Sequence, residues 1–130
     1  MESDMSKKQT LAVFIEHAQE GSYFTLPFDI PPQTAAMRLS YSYTRYRYHE
    51  NQAEHNTFTA REEINIIDLG LIAPDGSQAG ASGSDKREIT ISESWATPGY
   101  KPHPLSTGRW EILVGAYKVA EPGVQVTYEL

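Results

Sequence analysis

The chain contains no cysteine. That removes disulfides, thiolate metal sites and cysteine nucleophiles together, and it fits a reducing compartment. Long apolar runs are missing too. Nothing approaches the roughly 20 apolar residues a membrane-spanning helix needs, and the opening MESDMSKKQT lacks the apolar stretch of a secretory signal. A cytoplasmic protein without a membrane partner is therefore expected. Basic charge is scarce: 11 Lys and Arg face 17 Asp and Glu, for a net charge of −6. A nucleic-acid binder needs a basic face to neutralise phosphates, so nucleic acid is not expected as a partner. The densest basic spot interleaves Arg45 and Arg47 with Tyr43, Tyr46 and Tyr48. Alternation of that kind reads as a strand, with the arginines on the wet face and the tyrosines inward or along the edge.

Catalytic patterns are also absent. The histidines, His17, His49, His55 and His103, form no H-x-H or H-E-x-x-H pair, so local spacing places no two of them on one ion. No G-x-S-x-G elbow occurs, and Glu62 and Glu63 are adjacent, hence on opposite faces of a strand. The glycine-rich GSQAGASGSDK lacks the order of a phosphate loop. No cofactor is expected and no catalytic set is recognisable. Asp68, Asp75 and Asp85 flank that glycine-rich stretch and are the candidates for a hard cation such as calcium. The stretch lacks the D-x-D-x-D-G ladder, and turn aspartates often bond their own backbone. Both readings stay open.

What is present is β periodicity. Met37, Leu39, Tyr41 and Tyr43 alternate with Arg38, Ser40 and Ser42, and Val124, Val126, Tyr128 and Leu130 with Gln125, Thr127 and Glu129. RWEILVGAYKV puts Trp110, Ile112, Val114 and Ala116 on one face and Leu113, Tyr117 and Val119 on the other, predicting a central strand covered on both sides. INIIDLGLIAP slips phase near Ile66 and Ile67, which predicts a bulge. TLAVFIE, SYFTLPFDI and KREITIS complete seven candidate strands, implying an antiparallel sandwich or barrel. APDGS and EPGV read as tight turns, the second as a hairpin. Residues 76–85 read as a mobile surface loop, residues 51–63 as a short helix or extended loop, and residues 1–9 as disordered, leaving one domain over 10–130.

SESWATPGYKPHPLSTGRW, residues 92–110, fits neither helix nor strand. Exposed aromatics on a sandwich can stack on sugar rings, which makes Trp95, Tyr100, Lys101 and His103 the candidate contacts for a ligand or partner. Trp110 is in register with the core, Trp95 could plug the sandwich mouth, and Tyr100 looks exposed. Pro98, Pro102 and Pro104 withhold donors, which suits a crossover rather than a sheet strand.

Several strings resemble the β-sandwich domain that precedes the catalytic domain in PHP-type (polymerase and histidinol phosphatase) metal-dependent phosphoesterases. These are IDLGL at 67–71, PDG at 74–76, SGS at 82–84, ITIS at 89–92, ATPGY at 96–100, GRWEILVGAYKV at 108–119 and the earlier FTLPFDIPP. The resemblance implies an all-β, jelly-roll-like antiparallel sandwich of about seven to eight strands. It also implies a PHP-type hydrolase domain as partner, in cis or in trans; a homodimer is the other partner left open. In such enzymes the metal ligands lie in the catalytic domain, so the resemblance implies a non-catalytic accessory module that docks on that domain or shapes access to it. The alternative is a carbohydrate- or small-ligand-binding module using the 95–103 loop.

Overall fold

The computed structural model describes residues 9–32, 34–53, 56–105 and 108–130, with backbone alone over 48–53 and 56–60. The strands are β1 (Thr10–Ile15), β2 (Tyr23–Asp29), β3 (Ala36–Ser42), β4 (Tyr46–Ala53), β5 (Asn56–Glu63), β6 (Ile66–Ile72), β7 (Gln78–Ser82), β8 (Glu88–Ser92), β9 (Arg109–Lys118) and β10 (Val124–Glu129). They form two four-stranded antiparallel sheets, β1-β10-β3-β8 and β2-β9-β6-β7, and a separate two-stranded sheet, β4-β5. With β4-β5 set aside, the pairings nest: β6 with β7, β3 with β8, β2 with β9, and β1 with β10. One long antiparallel ribbon, folded at β6-β7, is thus wound so that alternate pairs fall in opposite sheets. That is the jelly-roll arrangement, with β4-β5 inserted between β3 and β6.

Period-2 alternation builds the core as expected. Met37, Leu39 and Tyr41 face Ile67, Leu69, Leu71, Trp110, Ile112 and Val114 across the sandwich, and all are buried. Tyr41 stacks on Tyr128, with ring centroids 5.5 Å apart and planes 4° apart. The bulge predicted at Ile66 and Ile67 is present, as a register shift against β9. Two tyrosines of the other sheet service it. Tyr41 Oη donates to the Ile67 carbonyl (2.7 Å), and the Ile67 N–H donates to Tyr43 Oη (3.0 Å). Burial pushes both phenols above the usual tyrosine range.

Five expectations are corrected. Residues 76–85 are not a free loop: they hold β7, with Ala79 buried. Their small side chains let another chain segment lie directly against the strand. Residues 51–63 are not helical but fall in the β4-β5 hairpin, apart from 54 and 55, which lie outside the described residues. No apolar stripe of period 3.6 was available there, and cross-strand contacts decide: Arg47 Nη1 lies 3.7 Å from Glu62 Oε1, and the Arg61 guanidinium lies 4.3 Å from the Tyr46 ring centre. Arg45 is not on a wet face. It is buried, stacked 4.3 Å over the Tyr43 ring, and donates from Nη1 to the Ser84 carbonyl (2.7 Å). EPGV makes a tight turn, with Gly123 at φ +86 and its N–H bonded to the Ala120 carbonyl, but it is no hairpin, because β9 and β10 lie in different sheets. Finally, β9 is central yet covered on one side only. Tyr117 is exposed and Leu113 half-buried on its outer face.

The turn at APDGS joins β6 to β7 as predicted, with Gly76 at φ +89 and its N–H bonded to the Ala73 carbonyl. The disorder expected over 1–9 lies outside the described residues except for Gln9, which exchanges two backbone bonds with Leu130. Among the described residues, no helix is long and apolar enough to cross a membrane.

The two core phenols separate a satisfied hydroxyl from an unsatisfied one. Tyr128 Oη is buried with no hydrogen-bond partner among the described residues. Tyr41→Phe strands a buried carbonyl and should cost about 1–3 kcal/mol, whereas Tyr128→Phe should be neutral or stabilising. Urea midpoints of the two variants at equal m-value check the contrast.

Candidate functional site

The segment from Trp95 to His103 has an architectural role first. On one side it bonds to β8: the Ser92 N–H donates to the Trp95 carbonyl (2.8 Å), Thr97 N–H to Thr90 (3.0 Å) and His103 N–H to Ser92 (3.0 Å). On the other it bonds to β7: Ala81 N–H donates to Gly99 (3.3 Å) and Lys101 N–H to Ala79 (2.8 Å). The segment therefore closes the edges of both sheets on one side of the sandwich. The prolines suit this role, because the donors they lack are not needed.

Within it, the four candidate contacts separate. Tyr100 is not exposed. It lies against Gly80, where a Cβ would sit 2.6 Å from the Tyr100 Cα, and its hydroxyl meets Ser82 Oγ (2.9 Å) and donates to the Leu69 carbonyl (3.2 Å). Burial raises its pKa to about 12. The tight Gly80 approach, invisible to local pattern, is what draws it in. Trp95 does not plug the sandwich mouth: it is 56% exposed, on a turn clipped by Ser92 Oγ, which accepts from the Trp95 N–H (3.1 Å). Lys101 is exposed. His103 is half-buried, packs edge-on to Trp110 with centroids 5.3 Å apart, and donates from Nδ1 to the Pro104 carbonyl (2.8 Å).

The three aspartates do not converge. Asp75 caps the β6-β7 turn, accepting from the Ser77 N–H (2.9 Å) and Oγ (2.7 Å), which lowers its pKa. Asp68 and Asp85 meet at the other end of that hairpin, where a Cβ on Gly83 would lie 3.9 and 3.4 Å from their Oδ1 atoms. Among the described residues, no group of three or more His, Asp or Glu is placed to hold a metal. The Asp68 carboxyl is raised above the usual range, first by partial burial and then by the negative charge of Asp85.

One concavity was missed in the sequence. It is an open groove of about 350 Å³ on the outer face of the β2-β9-β6-β7 sheet. Strand register sets Tyr23 opposite Gly115 and Gly115 opposite Asp68, in one row across three strands, with Gly70 opposite Leu113 in a neighbouring row. The glycines let neighbouring side chains lie close against the sheet. A Cβ on Gly115 would lie 2.9 Å from the Tyr23 ring and 3.2 Å from the Asp68 Cβ, and one on Gly70 would lie 3.0 Å from the Leu113 Cβ. Tyr23 is 69% exposed and Tyr117, two residues along from Gly115, is 68% exposed. The available signal was the isolated glycine inside two apolar strands, LGLI and VGAY, which marks a close approach. A second open concavity, about 490 Å³, lies between Thr34, Ser92, Glu93 and Pro104 near Trp95.

Comparison with known proteins finds no matching family model, no matching curated protein and no matching solved structure. The strings that carry the PHP-domain resemblance fall mainly on β2, β6, β8, β9 and the edge-closing segment. Most of these positions build the sandwich rather than line the groove.

Asp68 gives a pH test of the groove's electrostatics. A carboxyl with a raised native pKa contributes most to stability when protonated, and that contribution is lost as pH rises through the native pKa. Asp68→Asn should therefore melt higher than wild type at neutral pH. The difference should close as pH falls below the ordinary aspartate range of about 4, read from melting temperature against pH.

Proposed function

We propose that the chain is a non-catalytic β-sandwich binding module that takes a hydroxyl-rich sugar ring in the groove on the outer face of the β2-β9-β6-β7 sheet. The observation that carries this reading is the row Tyr23–Gly115–Asp68. Gly115 lets the Tyr23 ring lie close against the sheet, the exposed face of that ring offers a flat apolar surface, and the Asp68 carboxylate accepts hydroxyl hydrogen bonds beside it. This keeps the sugar-binding alternative but moves it from the 95–103 loop, whose Tyr100 is buried. A glycan array probed with wild type should give a response that Tyr23→Ala reduces about tenfold or more, the equivalent of losing ~1.4 kcal/mol of stacking. Silence across the array with folded wild type overturns the reading.

A second reading, an accessory module docking on a PHP-type hydrolase domain, is favoured by Trp95. A large aromatic held outward on a hydrogen-bonded turn is the kind of anchor that dominates interfaces. Trp110 is fully buried, so solvent-sensitive tryptophan emission reports on Trp95. Titration with a purified PHP-type hydrolase domain should shift that emission to the blue in wild type and not in Trp95→Phe. No shift at saturating concentration removes this reading.

A further inference from the structure

The groove on the β2-β9-β6-β7 sheet carries charge of one sign. Its lining holds one carboxylate, Asp68, and no lysine, arginine or histidine. Among the described residues, no donor or cation reaches the Asp68 carboxyl. Both influences on it, partial burial and the charge of Asp85, disfavour its ionised form. Glu111 adds a further acid on the outer face of β9. Basic side chains of the same sheet and the adjoining turn are directed elsewhere. Lys118 Nζ donates to the Glu63 carbonyl (2.8 Å), and Lys86 Cε lies 3.8 Å from where a Gly99 Cβ would be. Arg109 sits opposite Asp29 at the far end of β9.

Asp68 and Asp85 also face one empty point. Leu69 pairs with Ser82, so Gly83, the next residue, falls opposite Asp68. The position of a Gly83 Cβ lies 3.9 Å from Asp68 Oδ1 and 3.4 Å from Asp85 Oδ1. Among the described residues, no other atom beyond the chain neighbours of Gly83 comes within 4 Å of that position. The backbone of Gly83 is not in the left-handed region, so its conformation does not demand glycine. The missing methyl leaves two carboxylate oxygens converging on open space at the β7 end of the groove. Carboxylates so placed repel one another, and a cation between them reverses the sign of the interaction.

We propose that the groove takes a chain of protonated amino sugars, one ring lying on Tyr23 and the ammonium of a neighbouring unit sitting between Asp68 and Asp85 over Gly83. This rests on the sugar reading above and adds the charge and length of the ligand. The Tyr23 ring lies against Gly115, and Gly115 is two strand spacings from Gly83, ~10 Å, which is more than one ring covers. An ammonium brings three donors and the charge that the pair lacks, whereas a neutral sugar leaves the repulsion in place. A bare metal ion fits less well, since among the described residues no third His, Asp or Glu stands beside the pair.

Titration calorimetry at about pH 6, between the carboxylate and amine ranges, compares a glucosamine oligomer with its fully N-acetylated counterpart. Wild type should bind the amine form about tenfold or more tightly than the acetylated form. Asp68→Asn and Gly83→Ala should each bring that ratio close to one. The first removes a charge, and the second sets a methyl where the ammonium sits, in ordinary contact with both carboxylates. Melting temperatures check that both variants fold. A ratio near one in wild type, or a preference that survives either substitution, overturns the proposal and leaves the sugar reading standing. A lysine oligomer that binds as tightly as the glucosamine oligomer also overturns it, because charge alone then suffices. Binding of neither oligomer by folded wild type overturns it too, and the glycan array decides the sugar reading separately.

Discussion

An open sandwich is limited by its edges: every strand there turns a row of donors and acceptors outward, and each must find a partner or meet water. Much of the chain outside the sheets serves that constraint. The segment from Trp95 to His103 runs from the β8 edge to the β7 edge and bonds to both, which ties the two sheets together where they would otherwise part. Its closure depends on one close approach, Tyr100 over Gly80, with the tyrosine hydroxyl reaching Ser82 and the Leu69 carbonyl. An aromatic-rich stretch that resembles a binding loop thus spends one of its aromatics on holding the fold.

The same logic operates at the β6 bulge. A bulge leaves backbone groups out of the ladder, and here Tyr41 and Tyr43 cross from the other sheet to take the carbonyl and N–H of Ile67. Arg45 lies over those rings, and Asn65 ties the base of the β4-β5 hairpin to the sandwich by donating to the Thr44 carbonyl (2.7 Å) and accepting from the Ala120 N–H (2.8 Å). The inserted hairpin is anchored through polar groups at its root. On the outer face of β2-β9-β6-β7, the lack of a side chain at Gly115 lets Tyr23 and Asp68 close in over it.

Much of this architecture could be read in advance because it is written in nearest-neighbour alternation. The inward sets of β3, β9 and β10, the burial of Trp110, the slip at Ile66–Ile67 and the APDGS turn all follow from side chains alternating across a pleat or from a glycine needing positive φ. The groove was not read from the sequence. Gly70 and Gly115 lie inside apolar strands, but nothing local says they share a face with Tyr23, since their strands are brought side by side by pairing across distant parts of the chain.

The sequence by itself determined an all-β chain with a Trp110-centred core and no local metal or nucleophile motif, because alternation and motif spacing are properties of adjacent residues. Only the tertiary structure decided that the glycine-rich stretch is strand β7, that Tyr100 is buried, that Arg45 lies inward and that Asp75 is parted from Asp68 and Asp85. The physical reason is common to all four. Each depends on which edge or ring comes to lie against it across the sandwich, and contacts between residues far apart in the chain leave no period in the sequence.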